Sequence, residues 1–244
     1  RDTRRAVPAS SDMGTARETG IVSPIPPVPA PATPFVGRGV ELEKIRNLLE
    51  SPNCRLVTLT GPGGIGKTRL AIEVLQNPSI VHNFDEGVFY VPLAPAPSLQ
   101  HAVRVIASAV HCPLEDKIGS SSLVENRRHL VDFLGQRRCL VILDNLEHIL
   151  EDVSDLIAEL LAAGPASKLL CTSRQRLNLL EEWVLGIKGL PVPDVKEHVP
   201  PYNYSSVQLF LKHATRVLDT FVPTPLDWAP IIRICELVGG VPLG

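Results

Sequence analysis

The alternation of apolar and polar positions changes period several times along the chain, and each change marks an element. Folded structure is expected to begin at Phe35-Val36-Gly37-Arg38, ahead of a helix that carries Leu42, Ile45, Leu48 and Leu49 on one face. Arg55-Leu56-Val57-Thr58-Leu59-Thr60 is a short β-rich run, and after it Leu70, Ala71, Val74 and Leu75 return to helical spacing. Residues 87–93 read as a second strand, and Leu99, Val103, Ile106 and Val110 as a helix face. A further helix runs from about Ser122 to Leu134 and stops at Gly135, a residue suited to a left-handed cap. Cys139-Leu140-Val141-Ile142-Leu143-Asp144 is continuously apolar until its closing carboxylate, as expected of a strand buried on both faces of a parallel sheet. Val153, Leu156, Ile157, Leu160 and Leu161 form a helix face stopped by Gly164-Pro165. Lys168 to Arg174 is the next strand, and Trp183 to Leu190 reads as the last.

The two ends of the chain are patterned differently. Residues 1–33 have no apolar period, and Pro24, Pro26, Pro27, Pro29 and Pro31 crowd one segment just before Pro34, which predicts a disordered proline-rich linker. Beyond Pro200 the pattern is purely helical. Val207, Phe210, Leu211, Ala214, Val217 and Leu218 make one face, and Ile231, Ile234, Cys235 and Val238 another. The expected organisation is a linker over 1–33, an α/β domain over 34–193 and the start of a small helical subdomain over 194–244. The sequence stops at Gly239-Gly240-Val241-Pro242-Leu243-Gly244, an unlikely natural terminus, and reads as cut from something longer.

Gly61-Pro62-Gly63-Gly64-Ile65-Gly66-Lys67-Thr68 fits the pattern G-x-x-x-x-G-K-[ST] and lies between the first strand and its helix, the context in which that pattern cradles phosphate. Glycines allow successive backbone N–H groups to turn inward, and the free N–H groups of the new helix add positive partial charge. The expected cradle is Gly61, Gly63, Gly64, Ile65, Gly66, Lys67, Thr68 and Arg69. Lys67 would place its ammonium on the outer phosphates, and the Thr68 hydroxyl would ligate magnesium. Asp144, at the ligand-bearing edge of an open α/β sheet, is the second candidate magnesium residue. Arg174 either reaches the terminal phosphate or is a solvated charge at a strand end, and spacing leaves both readings open.

Composition narrows the picture a little. Of 244 residues, 44% are hydrophobic and 20% charged, ordinary for a globular protein, and a formal net charge of -2 argues against a general nucleic-acid or membrane-surface binder. No apolar run approaches a membrane span and no signal pattern follows Arg1, so a cytoplasmic location is the default. Cys54, Cys112, Cys139, Cys171 and Cys235 have no metal or disulfide spacing and are expected as buried reduced thiols. The histidines form no ligand grouping and read as surface or packing residues.

Together Phe35-Val36-Gly37-Arg38, the GPGGIGKT loop, LVILDN at 140–145, CTSR at 171–174 and GVPL at 240–243 resemble, in order and rough spacing, the NB-ARC (AP-ATPase) branch of the STAND P-loop NTPases. LDNLEH at 143–148 and SSVQLFLKHA at 205–214 look most like bacterial multidomain transcriptional regulators of the AfsR/SARP and large LuxR type. The resemblance implies an ATP/ADP switch with Mg2+. In it Val36 and Arg38 lie near adenine and ribose, Lys67 and Thr68 carry phosphates and magnesium, Asp144 supports the magnesium, Arg174 senses the terminal phosphate and Pro242 packs on the adenine. It further implies winged-helix, sensor and effector domains elsewhere in the protein, self-association in the ATP state, and DNA contact only through a domain outside this sequence.

The sequence departs from that family at three points. Gly39 follows Arg38 where relatives often carry an acidic residue. Asn145 follows Asp144 where vigorous ATPases place a glutamate; an amide takes no proton from water, so slow hydrolysis is expected unless Glu147 or another group substitutes. The winged-helix segment, with its phosphate-contacting histidine, is missing. The alternative reading is an active AAA+ or origin-recognition-type ATPase acting on nucleic acid or protein.

Overall fold

The computed structural model describes residues 34–114, 123–164, 166–194 and 199–243. The proline-rich segment over 1–33, the helix start at Ser122 and the terminal Gly244 lie outside the described residues. Strands β1 (Leu56–Thr60), β2 (Val88–Pro92), β3 (Leu140–Asp144), β4 (Lys168–Ser173) and β5 (Glu182–Gly186) form one sheet in the order β2-β3-β4-β1-β5. Every neighbouring pair is parallel. The helices between them are α1 (Gly39–Glu50), α2 (Lys67–Leu75), α3 (Pro78–Val81), α4 (Leu99–Ala109), α5 (Leu123–Gly135) and α6 (Leu150–Ala163). This is the mainly parallel α/β architecture of the sequence reading.

Period-two alternation on the strands feeds two cores. Leu140 and Ile142 of β3 turn to a cluster that also holds Ile45 of α1 and Leu70, Ala71 and Val74 of α2. Val141 and Leu143 turn the other way, against Val103 and Ile106 of α4, Leu130 of α5 and Leu156 and Ile157 of α6. All of these are buried, each Val, Leu or Ile side chain contributing about 1.5–3 kcal/mol. Two long cations close helix ends within these layers. The Lys168 ammonium donates to the carbonyls of Leu49 (2.7 Å) and Ser51 (2.6 Å) at the end of α1, and the Arg55 guanidinium to those of Leu161 and Gly164 at the end of α6.

Three expectations are corrected. Gly135 adopts no left-handed conformation; it is the last residue of α5, and a side chain at Gly164 would meet its carbonyl oxygen at 1.9 Å. Glycine there serves the close approach of two helix ends. Strand β5 ends at Gly186, earlier than Leu190, because the chain then leaves the sheet edge to pass behind the glycine loop, with the Ile187 amide still donating to the Thr60 carbonyl at 2.7 Å. Its Trp183 and Val184 are half exposed, as befits an edge strand.

The helical unit begins with a 3-10 turn (Pro201–Asn203) followed by α7 (Ser205–Val217) and α8 (Trp228–Leu237). Tyr204, Val207, Ile231 and Cys235 make its small core. The third correction falls here: Phe210 and Leu211 pack against this core, but the predicted apolar face of α7 is left uncovered toward its end, where Val217 and Leu218 are exposed.

Candidate functional site

The parallel sheet brings the carboxyl ends of β1, β3 and β4 together, with β4 between the other two. The glycine loop leaves the end of β1. Gly64 and Gly66 take the left-handed region (φ 74° and 100°), and Ile65 between them is buried in the core beneath, which fixes the loop to the sheet. Helix α2 starts at Lys67 with no side chain capping its first amides. The Lys67 ammonium donates to the carbonyls of Gly61 (2.8 Å) and Pro62 (3.1 Å). Burial pulls its pKa below the ordinary lysine value, while Glu147 and Asp144 push it up and Arg174 pulls it down.

Beneath the loop, Asp144 collects hydroxyl donors from three elements. Thr68 Oγ1 lies 2.9 and 3.1 Å from its two carboxylate oxygens, Tyr90 Oη donates at 2.9 Å and Thr172 Oγ1 at 2.5 Å. Thr172 Oγ1 in turn accepts the backbone N–H of Asn145 at 2.9 Å, and Asn145 takes φ 68°. Burial, and then the charge of Asp144, push the Tyr90 phenol far above its usual range, so Tyr90 is a fixed donor. A threonine hydroxyl beside one carboxylate is a hard oxygen pair that suits magnesium, an ion that keeps several waters and takes phosphate oxygens. No cluster of three or more His, Cys, Asp or Glu forms among the described residues.

Over the loop opens a cavity of about 540 Å³. Of the residues predicted for the site, Val36, Arg38, Gly63, Gly64, Ile65, Gly66, Lys67, Thr68, Arg69, Arg174 and Pro242 line it. Gly61 and Asp144 do not: Gly61 is backed against the Ile187 carbonyl, 2.8 Å from where its side chain would begin, and Asp144 lies behind Thr68. Arg38, buried and at φ 66°, donates to the Ile65 carbonyl at 3.0 Å and to Glu41 at 2.8 Å. Glu41, three positions on, gives Arg38 an acidic partner although Gly39 follows it directly. Arg69 pairs with Glu73 at 2.8 Å and lies over the Phe35 ring, 5.7 Å from its centroid.

The far wall comes from the helical unit through Leu209, His213, Pro242 and Leu243. Its position is set by backbone. The Leu190 amide donates to the Gly240 carbonyl at 2.8 Å, and Gly240 has φ 67° with the Leu190 oxygen 2.1 Å from where a Cβ would stand. Only glycine fits there, and the contact carries Leu243 to 3.1 Å from the Cβ position of Gly64. His213, with the other histidines expected at the surface or in packing, is exposed and also faces this cavity.

At the cavity's polar end Arg174 Nε donates to Glu147 at 3.1 Å, and its Nη2 stands 3.8 Å from the Cβ position of Gly63. With its amide nitrogen turned inward, the orientation that satisfies both its ends, Asn145 donates to both Glu147 oxygens at 2.9 and 3.0 Å. Tyr90 and Glu41 carried no motif signal, and Thr172, though inside CTSR, was given no role.

Residues 34–172, more than half of the chain, match the model of the AAA ATPase domain. The chain belongs to that family. An AAA ATPase domain is a P-loop NTPase that binds nucleotide, typically with Mg2+. A Mycobacterium tuberculosis protein provisionally named an HTH-type transcriptional regulator is 34% identical to this AAA ATPase domain over 189 residues, 78% of this chain and 19% of the relative. An uncharacterised M. tuberculosis protein is 30% identical over 213 residues, 86% of this chain and 49% of its own. The chain thus spans about a fifth to a half of these relatives. Among solved structures, Cdc6p of Pyrobaculum aerophilum superposes with TM-score 0.56 (15% identity, 78% of this chain, 52% of that one). A STAND protein with a tetratricopeptide repeat sensor from Pyrococcus horikoshii gives 0.50 (18%, 85% and 28%). The Aeropyrum pernix ORC1 protein, solved with DNA, gives 0.55 (19%, 86% and 58%). These likenesses show the P-loop NTPase fold. No helix among the described residues is long and apolar enough to cross a membrane.

Proposed function

We propose that this AAA ATPase domain is an ATP/ADP-binding switch module with slow hydrolysis, part of a larger STAND protein of signal transduction or transcription control, of the NB-ARC branch. The observation that carries the reading is the cavity itself: its floor is the glycine loop and its far wall, with Pro242 and Leu243, belongs to the helical unit. A nucleotide there touches both the nucleotide-binding domain (34–193) and the helical subdomain (194–244). Any difference between the diphosphate and triphosphate contacts then shifts the balance between their relative arrangements. The name of the mycobacterial regulator supports the setting.

In this reading Lys67 leaves the Gly61 and Pro62 carbonyls for the outer phosphates, and the loop amides from Gly63 to Arg69 surround them. Thr68 and Asp144 hold the magnesium ion that accompanies the nucleotide, which neutralises charge on the terminal phosphate. Val36 and Pro242 flank the base, and Arg38 acts by tying the segment before α1 to the glycine loop. Asn145, the residue after Asp144, takes no proton from water, and turnover is expected at or below roughly one per minute.

The test is a melting and binding titration with ATP·Mg and ADP·Mg on the wild type and Lys67→Ala. Nucleotide at a hundredfold its Kd stabilises the wild type by about 2.7 kcal/mol, and the substitution removes the shift. Equal melting curves with and without nucleotide overturn the reading. Turnover of many per minute, stimulated by DNA, would favour the origin-recognition-type ATPase instead.

A further inference from the structure

Glu147 belongs to no part of the phosphate-binding pattern, yet it lies among the groups that pattern uses. Its carboxylate accepts Arg174 Nε at 3.1 Å and, with the Asn145 amide nitrogen turned toward it, that nitrogen lies 2.9 and 3.0 Å from its two oxygens. It is also the strongest charged influence on Lys67, ahead of Arg174 and Asp144. Arg174 beside Gly63 and Lys67 on the floor both line the cavity here, and in the proposed reading both face the terminal phosphate. Glu147 therefore holds, through Nε, the same guanidinium whose Nη2 stands by the glycine loop.

We infer that Glu147 is an internal stand-in for the terminal phosphate, competing for Arg174 and thereby setting the preference between ADP and ATP. The inference rests on the reading of the cavity as a nucleotide site. A carboxylate on Nε and a phosphoryl group taking the Nε–Nη2 edge in a paired contact compete for the same side of the Arg174 guanidinium. A triphosphate must separate Arg174 from Glu147; a diphosphate, one phosphoryl group shorter, leaves the pair intact. The pair is suited to exchange. The Arg174 side chain is 62% exposed and that of Glu147 23%, so solvent screens their attraction and re-solvates each partner on separation. Asn145 keeps the carboxylate in place after Arg174 departs, so that the latch closes again.

The experiment is calorimetric titration of ATP·Mg and ADP·Mg into the wild type, Glu147→Gln, Arg174→Ala and the double variant, with Lys67→Ala as the control for the site. Glu147→Gln tightens ATP roughly two- to fivefold, the scale of an exposed ion pair, and leaves ADP unchanged. In the Arg174→Ala background the same substitution gains nothing for ATP. An ATP-to-ADP affinity ratio that Glu147→Gln does not move overturns the inference, also where turnover falls, since Glu147 would then be serving as a base. A wild type that binds neither nucleotide, or binds both independently of Lys67, removes the nucleotide reading and this inference with it.

Discussion

A hydroxyl on a strand is ordinarily read as a contribution to β-propensity, and at Tyr90 and Thr172 that reading misses what the side chains do. Both donate to Asp144 from strands on either side of β3. Asp144 and Thr68 were legible because a glycine loop and a strand-closing carboxylate announce themselves locally. Their supporters were not, since the partnership forms only when strands distant in sequence lie side by side. Thr172→Val keeps the shape and removes a hydroxyl that both donates to Asp144 and accepts from the Asn145 backbone N–H. Two polar groups lose a partner, one of them on a buried carboxylate. The expected cost is about 1–3 kcal/mol, read as a lower urea midpoint at unchanged slope.

Elements whose burial is two-sided or strictly periodic were placed well from sequence. β3 is buried at every position, and the five predicted apolar positions of α6 are all in the core. Legibility failed where a neighbour, more than the local pattern, ends an element. β5 stops when the chain turns behind the glycine loop, and Gly135 serves a contact with the end of α6. The loop over 239–243 is the sharpest case, because the sequence marks it as a motif and an abrupt end, while the docking of Gly240 on Leu190 has no local signal. In Gly240→Ala the new methyl would fall 2.1 Å from the Leu190 oxygen at φ 67°. The substitution is expected to cost about 1–3 kcal/mol in the melting curve and to weaken ATP and ADP alike, through loss of the wall that Pro242 provides.

At the scale of the whole molecule, the parallel α/β class followed from the order of strand and helix patterns, whereas the strand order did not. Placing β4 between β1 and β3 is a matter of crossover geometry that no local window encodes. One global property does follow from composition and burial together. All five cysteines are buried free thiols, and burial raises the pKa of each, that of Cys54 from 9.0 to about 11. A raised folded-state pKa gives stability that is intact below the unfolded value and is lost as pH rises toward the folded one. Urea unfolding followed from neutral pH upward should show constant thiol contributions to about pH 8, then a decline. Cys54 alone accounts for about 1 kcal/mol by about pH 10.

The hydrogen bond between Leu190 and Gly240 joins positions roughly fifty residues apart. The segments on either side of α7 and α8 meet at one doorway. Closing a flexible loop of that length costs about 3–4 kcal/mol in chain entropy, and the small cluster around Tyr204, Val207, Ile231 and Cys235 must offset it. With a core of its own that small, the helical unit is expected to detach with less disturbance to the sheet than any strand would. It is a side room whose door can open while the house stands, and its hinge lies on the rim of the cavity.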